Sequence, residues 1–155
     1  MQEFVQGYVD PAQSVGQARR FARLMALEVG PEFDDIALAA WVANGLPTSV
    51  VAALCSALGR ANIIGPVVPE ATYRRLNKAG RPLPREHSER IYEVARVIDT
   101  VASAFHGDAA AVTRFLDTPH PLLRGQAPFD LARSSSAGAD AVLNLVHRAQ
   151  AGVAV

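Results

Sequence analysis

The stretch from Arg85 to His106, set between Pro84 and Gly107, constrains this chain more than any other. Ile91, Val94, Ala95, Ile98, Val101, Ala102 and Phe105 recur there at spacings of three and four, which lines them along one helix face. Such a face has to be buried against other elements. No long stretch of the chain alternates with period two, and the helix formers Ala, Leu and Arg are abundant. The expected fold class is all-α.

Glycine and proline punctuate the remainder. Asp10-Pro11 suits a helix start, and Val15, Ala18, Ala22, Met25 and Val29 form an apolar stripe up to Gly30-Pro31, with Arg19, Arg20 and Arg23 off its centre. A short helix is expected from Asp35 to Asn44, with the Asp34-Asp35 pair at its positive end and Gly45 after it. Pro47 opens a third, through Leu58, with Gly59 where left-handed geometry is favoured. One or two turns follow from Arg60 to Ile64, then Gly65-Pro66, and a helix from Pro69 to Ala79-Gly80. Beyond the long helix, Asp108 caps a helix through Leu116, and residues 118–125 form an irregular connector. Pro128 to Arg133 is a short helix, Ser134-Ser135-Ser136 a capping loop, and Ala137 to Ala151 the last helix. Gly152 then releases Val153-Ala154-Val155.

Of 155 residues, 50% are apolar, enough to bury a core in one domain or two small ones and too many for a disordered chain. Fifteen Lys and Arg balance fifteen Asp and Glu, which excludes a uniformly basic nucleic-acid coat. The charge is zero in sum but uneven along the chain: residues 1–44 carry three Arg against six acids, residues 45–96 eight cations against four acids, and residues 97–155 four Arg against five acids. The middle third is where a polyanion is electrostatically welcome. A single cysteine, Cys55, excludes an intramolecular disulfide and a Cys-rich zinc site. Met1-Gln2-Glu3-Phe4 does not open a secretory signal, and the longest apolar runs break at Asn44, Gly59 or Arg60, short of a membrane span. A cytoplasmic protein with no membrane partner is expected.

No catalytic constellation is visible, and no catalytic residue, metal site or cofactor is assigned. His87, His106, His120 and His147 stand apart, outside the spacings that aim two ligands at one metal. His106 at a helix C-terminus is explained by the dipole. Cys55, among Ala52, Leu54 and Leu58, reads as a small core hydrophobe. Glu86, Glu89 and Glu93 face Arg85, Arg90 and Arg96 at helical spacings on a solvated surface. The chain reads as a binding protein.

Residues 48–80 have the outline of a helix-turn-helix, with Leu46–Leu58 supporting, Arg60–Ile64 second, and Pro69–Ala79 as the recognition helix. Thr72, Arg74, Arg75 and Lys78 are the candidate DNA contacts there, with Arg81 and Arg85 extending the patch. Against this, Gly65-Pro66 truncates the second helix and Val67-Val68 occupies the turn. The same cations also fit the solvated face of a short helix.

The order Ala71-Thr72-Tyr73-Arg74-Arg75-Leu76, Ser88-Glu89-Arg90-Ile91, Ala95-Arg96-Val97 and Ala104-Phe105-His106-Gly107-Asp108 resembles the Xre/MbcA/ParS-type antitoxins. The resemblance continues through residues 115–131, then Gly138, Val142-Leu143 and residues 148–152, and so covers roughly residues 46–155. Three features depart from it. Phe115 stands where Trp is usual, Ser134-Ser135-Ser136-Ala137 precedes Gly138 where an acid is often found, and Gly65-Pro66-Val67-Val68 departs most.

The resemblance implies an N-terminal helical extension over residues 1–45, an Xre-like helix-turn-helix region over 46–84, and a helical toxin-binding domain with its tail over 85–155. It implies a RES-domain toxin as partner, one that consumes NAD or uses it for ADP-ribosylation, and neutralisation by obstruction of the NAD pocket. It also implies binding to the chain's own promoter DNA, and assembly with itself or with its toxin. The expected toxin-binding residues are Arg133, Ser134, Arg148, Gly152, Val153, Ala154 and Val155, the last three entering the NAD pocket with a carboxylate at the phosphate site. Fraying of that tail is the alternative. Leu122 and Leu123 can anchor the toxin or close the core, and the core is the reading preferred here.

Overall fold

The long helix is present, from Arg85 to Ala104, and the other elements are arranged around it. The structure, a computed structural model, describes residues 16–153. In chain order the elements are α1 (Gln17–Leu24), α2 (Asp35–Asn44), α3 (Ser49–Leu58), α4 (Arg60–Ile63), α5 (Glu70–Ala79), α6 (Arg85–Ala104), α7 (Ala109–Asp117), a 3-10 turn (Pro121–Leu123), α8 (Pro128–Ser134) and α9 (Ser136–Gln150). The fold is all-α, with no β-strand among the described residues.

Helix α6 is buried on more than the one face its periodicity predicts. Ile91, Val94, Ala95, Ile98, Val101 and Ala102 are buried as expected, but so are Val97, Ser88 and Asp99. The cause is that α1 and α2 pack on α6 as well as α7, α8 and α9. One apolar cluster consequently runs from Ala18 in α1 to Val146 in α9.

The first helix is shorter than its stripe suggests. Asp10-Pro11 and Val15 lie outside the described residues. The helix ends at Leu24 rather than Val29, because Ala26 takes a left-handed φ of 49° and the Leu27 N–H donates to the Ala22 carbonyl at 2.8 Å. That is a Schellman termination built on alanine where glycine is the usual signal. Met25 remains buried, and Val29 is only half-buried.

Other boundaries follow their local chemistry. Asp34 accepts from the Ala37 N–H at 2.8 Å and starts α2. Asp108 accepts from the Ala110 and Ala111 N–H groups, both at 3.0 Å, and starts α7. Gly45 has φ 103°, and a Cβ there would collide with the Leu83 carbonyl oxygen. The close approach lets the Leu83 N–H donate to Leu46 O at 2.8 Å, while the Leu46 N–H donates to the buried Ser88 hydroxyl at 2.9 Å.

Helix α2 is apolar nearly all round, yet only Leu38 and Val42 are buried. Ile36 is 79% exposed, and Trp41 is 38% exposed with its ring edge-on to Phe33. Helices α2 and α3 meet at 108°, and no single helix among the described residues is long and apolar enough to cross a membrane.

Candidate functional site

The C-terminal half is assembled at a tight corner between α8 and α9. Ser135 accepts from the Gly138 N–H at 3.0 Å and so caps α9. Gly138 lies against the Leu131 carbonyl oxygen so closely that a Cβ would overlap it. The Arg90 guanidinium, paired with Glu93, donates to the Arg133 carbonyl at 2.7 Å and satisfies the end of α8. Arg96 reaches Asp140 at 2.6 Å, so it faces α9 and not the glutamates on its own helix, which corrects the sequence expectation. Arg85–Glu89 and Arg90–Glu93 pair as expected.

Arg133 is engaged inside the molecule. It donates to Asn62 Oδ1 at 3.0 Å, pairs with Asp130, and lies 5.8 Å from the centre of the Phe129 ring. The Ser134 hydroxyl donates to Leu131 O at 2.7 Å. Arg148 is exposed near the other end of α9, about 18 Å along the helix from its first residue, Ser136, at 1.5 Å per residue. The expected toxin contacts therefore fall in two groups, Arg133 with Ser134 at one end of α9, and Arg148, Gly152 and Val153 at the other. Ala154 and Val155 lie outside the described residues.

At the second end α9 terminates as a Schellman motif. Gly152 takes φ 74°, and the Val153 N–H donates to the Arg148 carbonyl at 3.0 Å. Val153 is 47% exposed. Beside this terminus lies a cavity of about 240 Å³. Phe105 and Phe115, their rings 5.6 Å apart, contribute to its wall with Leu145 and Val146. Ala149 and His120 are also in the lining. The His120 Nδ1 accepts from the Leu122 N–H at 3.2 Å, which starts the 3-10 turn.

That turn separates two adjacent leucines. Leu123 is buried, whereas Leu122 is 51% exposed, contrary to the expectation that both close the core. Successive residues of a 3-10 turn point about 120° apart, so only one of the pair faces inward.

The basic segment forms a separate surface. Arg74, Arg75 and Lys78 are exposed on α5 and make no ion pair among the described residues, Thr72 is half-buried, and Leu76 alone is buried. Thr48 donates to Asn77 at 3.0 Å, and Arg60 pairs with Glu70 at 2.9 Å. Helix α4 is a single turn. After it the Gly65 N–H donates to Val68 O at 2.9 Å, and Val67 and Val68 are buried. The departure from a regular helix-turn-helix thus serves the core.

Cys55 is half-buried against the apolar cluster, and burial pushes its thiol pKa up despite the opposing pull of Arg60. Its thiolate fraction is correspondingly low. Among the described residues no three His, Cys, Asp or Glu side chains gather into a metal-holding group.

Residues 91–152 match the family model described as the antitoxin Xre/MbcA/ParS C-terminal toxin-binding domain. This segment is similar to that family. No curated protein matches the chain. The matched segment begins within α6 and runs through α7, the 3-10 turn, α8 and α9, so it contains both the Gly138 corner and the apolar cavity. Its presence supports an antitoxin role with a protein toxin as partner. Reading the sequence located the segment but missed the cavity, because Phe105, Phe115 and Ala149 come together only through packing.

Proposed function

We propose that this chain is an antitoxin that binds and neutralises a RES-domain toxin, one that consumes NAD or uses it for ADP-ribosylation. The observation that carries this reading is the match of residues 91–152 to the toxin-binding domain. The chain acts by binding, and its C-terminal region obstructs the toxin's NAD pocket. The exposure of Val153 beyond the turn at Gly152 supports a role for the segment that follows α9. Stoichiometric neutralisation needs affinity on the order of nanomolar, about −12 kcal/mol. A short tail is too small for that, so the surfaces of α7, α8 and α9 supply most of an interface of about 1,600 Å².

The test is NAD consumption by the RES-domain toxin encoded beside this chain, titrated with the purified chain. Complete inhibition near an equimolar ratio is expected, and removal of residues 152–155 is expected to weaken it at least tenfold with the fold unchanged. Absence of inhibition by the full chain overturns the reading. Equal inhibition by the shortened chain overturns the role of the tail.

A second reading, binding to the chain's own promoter DNA through α5, is favoured by the exposure of Arg74, Arg75 and Lys78 without ion-pair partners among the described residues. Cations left free in this way are available to phosphates and base edges. The two readings are compatible, since they use different surfaces.

A further inference from the structure

The apolar cavity beside the end of α9 has a size and a lining that define what fits it. Small-molecule sites run about 300–1,000 Å³, whereas this one is about 240 Å³. It suits one large side chain. Its wall is built from Phe105, Phe115, Leu145 and Val146, which offer contact area and no charge. The single ring with polar atoms is His120, edge-on to Phe115. Because its Nδ1 accepts from the Leu122 N–H, the neutral ring carries its proton on Nε2. That N–H has no hydrogen-bond partner among the described residues.

Two further observations locate the partner. Every residue lining the cavity lies within residues 91–152, the segment that matches the toxin-binding domain. Two of the four large apolar side chains exposed among the described residues follow cavity residues closely in the chain, Leu122 two residues after His120 and Val153 three after Gln150. Well-packed apolar pockets are where interface anchors concentrate binding energy.

We propose that this cavity is the anchor pocket of the toxin interface: it receives one bulky apolar side chain of the toxin, and the His120 Nε2–H donates to an oxygen of the same toxin segment. The proposal rests on the antitoxin reading above and adds the place and chemistry of its central contact.

The test compares the dissociation constants of the full chain and three variants for the purified RES-domain toxin, with circular-dichroism melting to establish folding. Ala149 is exposed at the cavity, so Ala149→Trp fills it from a solvent-facing position, and Ala149→Glu places a charge there as a second variant. Ser56, exposed on α3 and outside the matched segment, is replaced by Trp as the control. Both Ala149 variants are expected to bind at least 100-fold more weakly, and Ser56→Trp within threefold of the parent. Parent and folded Ala149 variants binding equally overturns the pocket and leaves the antitoxin reading standing. Equal losses in the control also overturn it. If Ala149→Trp instead lowers the mass of the free chain and leaves toxin affinity unchanged, the cavity serves a second copy of the chain and the proposal falls. Failure of the parent to bind the toxin overturns the antitoxin reading itself.

Discussion

Arg20 of α1 grips Asp99 of α6 through two hydrogen bonds, Nε to Oδ1 at 2.7 Å and Nη2 to Oδ2 at 3.0 Å, across 79 residues of sequence. Asp99 is 3% exposed, so its carboxylate depends on this guanidinium for charge compensation. The neighbouring Phe21 ring meets Tyr92 edge-on at 5.4 Å and completes the attachment of α1 to α6.

Replacing Arg20 by Ala takes the guanidinium away from a buried carboxylate. Breaking a buried pair from one side costs about 3–5 kcal/mol, and the partial exposure of Arg20 places this case near the lower figure. A fall in Tm on the order of 10 °C is expected. Urea or thermal unfolding checks it, and a loss below about 1 kcal/mol would mean that water already shields Asp99.

Gly138→Ala attacks the α8–α9 corner. The new Cβ has no room before the Leu131 carbonyl, and backbone cannot move aside as a flexible side chain can. Overpacking of this kind costs about 1–3 kcal/mol. Thermal melting of the variant is expected to show that loss together with weaker toxin binding. An unchanged melt would show that the two helices separate without cost.

Arg74→Ala combined with Arg75→Ala tests the basic face. Both side chains are exposed, so stability is expected to stay within about 0.5 kcal/mol of the parent. Binding to a promoter fragment is expected to disappear and the parent's binding to fall steeply with salt, while toxin inhibition persists. Salt-insensitive binding, or binding retained by the double variant, would remove α5 from DNA recognition.

The parts of the fold that depend on neighbours in sequence were legible from the residues alone. Asp34 and Asp108 announce helix starts, Gly80 takes the left-handed position that ends α5, and the face of α6 is buried where its periodicity puts it. Ala26 was not legible as a terminator because nothing in its side chain favours φ 49°, and only the packing of Met25 and the bond to Ala22 account for it. Arg20 and Asp99 are too far apart in sequence for spacing to connect them. The candidate site divides in the same way. Its segment was recognisable from an ordered series of residues, whereas its cavity arises from α6, α7 and α9 meeting in space. Arg133 looked available as a free cation, but Asn62 and Asp130 already engage it.

The partly uncovered α2 has an optical consequence. The chain contains one tryptophan, Trp41, and it stands on that helix with 38% exposure. Its emission comes from the α2 face, outside the toxin-binding domain, and needs no attached dye. A blue shift on mixing reports a partner that dries this face, and a constant spectrum during tight binding reports one that leaves it wet.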